Sequence, residues 1–153
     1  MSTPPEPNPN PEPKLAPEPE RHYRIDVLAA ALPIVEAPDF KPGAWHDSER
    51  RADGVWTMPY FERSPEADSF LRAVGESGMM LTGFDWPSWA QTPEAKTLHS
   101  DRAALAKATP EELAMLLTAL VREDRFNEGA LGDSFESGIM TAIARRAKEL
   151  TAS

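Results

Sequence analysis

The sequence predicts a mainly helical domain with one small β-hairpin, preceded by an N-terminal segment that has no core of its own. Three observations lead there. Apolar residues recur every three or four positions through most of the chain after residue 22, the spacing that keeps one helix face apolar. Proline-led starts recur as well: Ser64-Pro65-Glu66, Thr92-Pro93-Glu94 and Thr109-Pro110-Glu111-Glu112. In each, a hydroxyl can cap, proline suits the first helical position and an acid sits at the positive helix end. Between 40 and 61 helical spacing lapses, and Phe40, Trp45, Trp56, Tyr60 and Phe61 crowd in with Gly43, Gly54, Pro42 and Pro59. Strands and helices do not alternate, so a parallel α/β sheet is not expected.

The elements follow in order. Ile25, Leu28, Leu32 and Val35 form one stripe and predict a helix over 23–36, kinked or ended near Pro33, whose ring removes a backbone donor. Asp53-Gly54 is a turn signal and Val55-Trp56-Thr57-Met58 is rich in strand formers. Together they predict an irregular hairpin, about 43–47 against 55–60, across the charged loop 47–51. Pro59 confines its strand to an edge or ends it. Ser64 opens a helix carrying Ala67, Phe70, Leu71 and Val74, with Gly78 placed to stop it. Asp85 caps a turn through Trp89, Thr92 opens a short helix, and 100–106 makes another. Thr109 begins the strongest element, a capping box followed by Leu113, Leu116, Leu117, Leu120 and Val121, running to about 124. A short helix through Leu131 and Phe135, a break at Gly138 and a last helix with Ile139, Ile143 and Leu150 complete the chain.

Residues 1–20 are of another kind. They hold Pro4, Pro5, Pro7, Pro9, Pro11, Pro13, Pro17 and Pro19, which is half of the 16 prolines, together with four glutamates and one lysine. Such a segment cannot bury enough apolar surface to offset an ordering entropy of roughly 1–2 kcal/mol per residue, so disorder with polyproline-II character is expected. It reads either as an acidic solubilising extension or as a docking peptide for an SH3-like groove, although it lacks the flanking Arg or Lys such ligands often use. Residues 21–153 are expected to form one domain, long enough to bury roughly two-thirds of their unfolded surface.

Composition excludes several functions. The 153 residues contain no cysteine, which removes disulfides, thiolate nucleophiles and Cys-built metal sites. The net charge of −9 argues against nucleic acid as a partner. No apolar run approaches the ~20 residues of a membrane span, and the start shows no signal-peptide pattern, so a cytoplasmic protein is expected. His22, His46 and His99 make no ligand pair, and neither phosphate-loop nor nucleophile-elbow motifs occur. No metal or cofactor is therefore expected.

Two charges fall where apolar side chains belong. On a helical wheel Asp124 lies within the stripe of Leu113, Leu117 and Leu120, and Arg146 within that of Ile139, Ile143 and Leu150. A carboxylate there is either past the helix end or buried and paired. Opposite charges on two helices suggest a pair, with Arg125 a competing donor and Glu128 and Glu136 competing acceptors. The cluster reads either as an ion-pair network that fixes helix packing, or as an acid/base or anion site with Asp124, Glu128 and Glu136 as the catalytic candidates. Arg125, Trp86, Trp89 and Tyr60 are the candidate ligand contacts. Trp86 and Trp89, three apart, share a helical face and line a pocket or cover a core edge.

The order Phe84-Asp85-Trp86-Pro87-x-Trp89, then Val121-Arg122-x-Asp124-Arg125-Phe126-x-Glu128-Gly129-x-Leu131, then Phe135-Glu136-x-Gly138, resembles an uncharacterised bacterial and phage family, the domain of unknown function 6508. Leu32-Pro33 and Gly54-Val55-x-Thr57-Met58-Pro59-Tyr60 are similar too. The resemblance spans about residues 25–150. It implies a compact, mostly helical cytoplasmic domain and brings no activity, cofactor or site. The expected function is a small non-catalytic interaction or regulatory domain with a protein partner. The alternative is a small-ligand-binding protein or hydrolase that uses the Asp/Arg/Glu cluster.

Overall fold

In the computed structural model, which describes residues 22–152, helices run in chain order around one apolar core and a hairpin leans on its side. The proline-rich segment expected to be disordered lies outside the described residues. The first predicted helix is two, α1 (Ile25–Ala30) and α2 (Leu32–Glu36). Pro33 has no N–H to offer the carbonyl of Ala29, so the chain turns at Ala31, where Ala31 N donates to Leu28 O at 3.1 Å and Ile34 N to Ala31 O at 3.0 Å.

Strands β1 (Gly43–His46) and β2 (Tyr60–Arg63) pair antiparallel, with Trp45 opposite Phe61 and His46 opposite Tyr60. This corrects the expected pairing, because the regular second strand starts at Tyr60 and not at Val55. Proline at 59 supplies no donor and breaks the ladder there. Pairing in the same register resumes nearer the tip, where Arg50 bridges Trp56, Thr57 N donates to Glu49 O at 2.8 Å and Arg51 N to Val55 O at 2.7 Å. The predicted turn closes the tip: Gly54 has φ +85° and Val55 N donates to Asp53 Oδ1 at 3.0 Å.

The remaining helices are α3 (Pro65–Glu76), α4 (Trp86–Ala90), α5 (Pro93–Ser100), α6 (Arg102–Leu105), α7 (Pro110–Glu123), α8 (Ala130–Glu136) and α9 (Ile139–Ala152). The predicted caps form. Ser64 Oγ accepts from Ala67 N, Asp85 from Ser88 N, Thr92 Oγ1 from Ala95 N, and Thr109 with Glu112 makes a complete capping box. Gly78, at φ +75°, follows the α3 C-cap.

Helix α9 packs along α1 and also meets α2, α6 and α8, while α7 meets α4, α5 and α8. Leu28, Phe70, Met79, Leu117, Met140 and Ile143 are fully buried where these faces converge. Polar ties hold the loops onto this body. Thr118 Oγ1, buried in α7, accepts from Leu81 N at 2.9 Å and lies 2.8 Å from Ala114 O and 3.1 Å from Met79 O. Three arginines donate to loop carbonyls: Arg122 to Leu81 at 2.7 Å, Arg146 to Ala108 at 2.9 Å and Arg102 to Ser137 at 3.2 Å.

Candidate functional site

The residues proposed as a charged cluster do not form an ion-pair network. Helix α7 ends at Glu123, so Asp124 is its C-cap and leaves the apolar stripe. Its carboxylate, half-buried, accepts from Leu131 N at 3.2 Å in the first turn of α8. Arg146 is the charge that stays within its stripe, and it resolves the cost by reaching the Ala108 carbonyl and, at 3.4 Å, Glu149. The expected Asp124–Arg146 pair is therefore absent. Arg125 and Glu136 are exposed. None of the ion pairs among the described residues involves Asp124, Arg125, Glu128 or Glu136.

Glu128 has a different task. Its Oε1 accepts from Phe61 N at 3.0 Å and ties β2 to the loop before α8. Around that bond two rings of the hairpin sit on glycines, Phe61 half-buried and Trp45 still 55% exposed on its outer side. Gly129, at φ +89°, faces the Trp45 ring so closely that a Cβ would lie 2.3 Å from it. Gly132, within α8, faces the Phe61 ring, which a Cβ would approach to 2.6 Å. Trp45 and Phe61 pack edge to face, with centroids 5.6 Å apart. Asp124, Glu128, Gly129 and Gly132 thus form one seat, in which the acids satisfy backbone donors and the glycines make room for the rings.

With its inner side seated, the hairpin turns the alternate residues of its second arm outward. Trp56 is 64% exposed, Met58 80% and Tyr60 45%. Tyr60 stacks on His46 at 4.7 Å and 10°, and His46 Nε2 lies 2.6 Å from Glu62 Oε2. Exposed Arg50 stands across from Trp56. Phe126, 81% exposed, rests on half-buried Trp86 at 6.1 Å in the loop beside the seat. Every large exposed hydrophobic among the described residues lies on the hairpin or in that loop.

The candidate tryptophans part company. Trp89 is buried and floors a cleft of about 400 Å³ with Leu116 and Leu120, rimmed by Lys96, His99 and Glu123. Trp86 and Tyr60 lie outside that cleft, as do Asp124, Arg125, Glu128 and Glu136. The Trp89 indole N–H has no partner at hydrogen-bonding geometry, yet it stands near enough to Glu94 to favour that group's charged form. Burial and the neighbouring Glu112 carboxyl outweigh it and raise the Glu94 pKa above its ordinary value. A carboxyl whose pKa rises on folding favours the folded state while protonated and loses that contribution as pH climbs through its titration. Glu94→Gln is therefore expected to raise Tm slightly at pH 7 and to leave it unchanged near pH 3. The gain stays below about 1 kcal/mol because the side chain faces water. Paired thermal melts at the two pH values check this.

Among the described residues no group of His, Asp or Glu is arranged to hold a metal ion, and no helix is long and apolar enough to cross a membrane. The molecule is thus a helical domain that carries a seated hairpin with an aromatic outer face. The chain belongs to the family of unknown function DUF6508, whose model matches residues 20–153. No curated protein and no solved structure matches it.

Sequence reasoning missed the seat. Gly129 and Gly132, one helical turn apart and next to Glu128, were its signal, together with more aromatic residues at 40–61 than so short a hairpin can bury.

Proposed function

We propose that the protein is a non-catalytic interaction domain of the cytoplasm that binds a protein partner through the outer face of its hairpin. The supporting observation is the exposed row of Trp56, Met58 and Tyr60 beside Arg50. Tryptophan, tyrosine, methionine and arginine are the residue types enriched in interface cores and hot spots. The row does not support the helical core, which is complete without it. Its placement on a seated hairpin presents it with little flexibility to lose on binding.

A photo-reactive amino acid at position 58 provides the test in cells that make the protein. A discrete adduct from position 58, absent with the same residue at exposed Arg72 and abolished by Trp56→Ser with Tyr60→Ser, is the expected result. Those two substitutions together should lower Tm by no more than about 4 °C, because surface changes rarely exceed 0.5 kcal/mol each. Equal labelling from both positions would overturn the reading.

The apolar cleft over Trp89 favours a second reading, a small-ligand site with His99 and Lys96 at its rim. That site is separate from the Asp/Arg/Glu residues first considered for ligand chemistry.

A further inference from the structure

Away from the hairpin, a groove of about 310 Å³ runs between α6 and α9. Ala142, Arg145, Arg146 and Glu149 line it from one face of α9, and the lining continues to Gly138 just ahead of that helix. Arg102 lines it from α6. From Gly138 to Glu149 the chain rises about 16 Å. Between the charged residues stand Ala106, Gly138 and Ala142, which add almost no bulk, and the space at the Cβ position of Gly138 is open. The chain as a whole carries a net charge of −9. The cleft over Trp89 sets Lys96 against Glu123, whereas here Glu149 is the single acid in a lining that holds three arginines.

The guanidiniums are in place before any ligand arrives. Arg102 donates through Nη1 to His99 O at 3.0 Å and through Nη2 to Ser137 O at 3.2 Å, at the Gly138 end. It joins no ion pair among the described residues, and the carboxylate of its neighbour Asp101 is turned to the amides of Ala103 and Ala104. Arg146, with a side chain 21% exposed, donates through Nε to Ala108 O and through Nη1 to Glu149, at the other end. Arg145 reaches Glu36 through Nη2 at 3.4 Å. A guanidinium has five N–H donors. These contacts take two from Arg102, two from Arg146 and one from Arg145, so they fix the side chains and leave most donors for an anion.

The spread of the donors selects the ligand. Arg102 and Arg146 are tied at opposite ends of the groove, so a compact anion engages one end at a time. A linear oligophosphate carries acceptor oxygens along its length and takes paired N–H donors from arginine. Among the described residues no aromatic side chain lines the groove, so a nucleobase has no ring to stack on there. The acidic molecule repels a long polyanion, while a short one sits inside the roughly 10 Å over which salt leaves local charge unscreened.

We infer that this groove binds a short oligophosphate chain, held by Arg102 at one end and by Arg145 and Arg146 at the other, with Glu149 releasing Arg146 as the anion enters. The site shares no residue with the outer face of the hairpin and is independent of the function proposed for that face.

Titration of the ¹⁵N-labelled full chain with sodium tripolyphosphate at constant ionic strength tests the site. Saturable shifts of the Gly138 amide and the Arg146 Nε–H are expected, while the Gly54 amide at the hairpin tip stays still. Affinity should rise from phosphate to pyrophosphate to tripolyphosphate. Arg145→Gln is expected to weaken tripolyphosphate about tenfold, the worth of one charge-assisted hydrogen bond. It gives up only an exposed ion pair, so the chain keeps its fold. Glu149→Gln should tighten binding by about threefold, since its carboxylate no longer competes for Arg146. Exposed Arg72→Gln should change nothing. ATP without magnesium separates the two sources of such a chain and is expected to bind no tighter than tripolyphosphate. No saturation by about 10 mM, citrate binding as tightly as tripolyphosphate, equal loss in Arg72→Gln or weaker binding in Glu149→Gln overturns the inference. Tighter binding of ATP overturns it too, because the base is then being read.

Discussion

Gly129→Ala is expected to cost about 2–4 kcal/mol and to loosen the hairpin while the helical body stays folded. Two effects add. An alanine at φ +89° is strained on its own account, and its Cβ would lie 2.3 Å from the Trp45 ring. The ring, 55% exposed, has room to swing outward, and doing so gives up its edge-to-face packing on Phe61. Glu128 then holds the Phe61 N–H of a strand whose neighbour has been displaced. Limited trypsin digestion reads the result: cleavage after Arg50 and Arg51 at the hairpin tip should accelerate, while sites in α9 stay protected. Gly83→Ala supplies the comparison. It has φ +66° and nothing within 4 Å of its Cβ position, so it carries the backbone strain alone, about 1–2 kcal/mol. Equal costs at the two positions would show that Trp45 is not seated on Gly129.

Thr118→Val is the second large effect and acts inside the helical body. The threonine oxygen is the acceptor for Leu81 N, and both residues are buried. Valine keeps the volume and removes the acceptor, leaving an amide donor in an apolar setting at about 1–3 kcal/mol. The midpoint of urea denaturation should fall by the corresponding amount with an unchanged slope, since the surface exposed on unfolding is the same. Thr118→Ser, which retains the oxygen, should recover most of the loss. Arg122 continues to hold the Leu81 carbonyl in either variant, so the loop stays attached and the cost stays local.

The capped helices were legible in the sequence because a cap is a local event. At Ser64, Asp85, Thr92 and Thr109 the acceptor oxygen and the donor N–H lie three residues apart, so the residue pattern contains the whole interaction. The hairpin turn was legible for the same reason, through Asp53 and Gly54. The register of the regular strands was not. Val55–Met58 has strand composition, but the missing donor at Pro59 outweighs it and moves the paired strand to Tyr60. The charged residues near the C-terminus misled through one boundary position. Asp124 belongs to the apolar stripe if α7 continues through it and to the next helix's first turn if α7 stops at Glu123. Helix ends shift by a residue or two on small differences, and periodicity alone does not fix them. The glycine seat brings position 45 to 129 and 61 to 132, and no spacing rule reaches across that distance.

The hairpin meets the body through two rings, the Glu128 carboxylate and the Arg63–Asp68 ion pair, whereas the helices share a continuous interior. Separate attachment of this kind makes a cooperative unit that detaches at a fraction of the global unfolding free energy. Amide protons of Trp45 and Phe61 should accordingly exchange with deuterium through an opening that leaves Leu117 and Ile143 untouched. An arm that unlatches while its base stays rigid can be remodelled or cut without exposing the interior to aggregation.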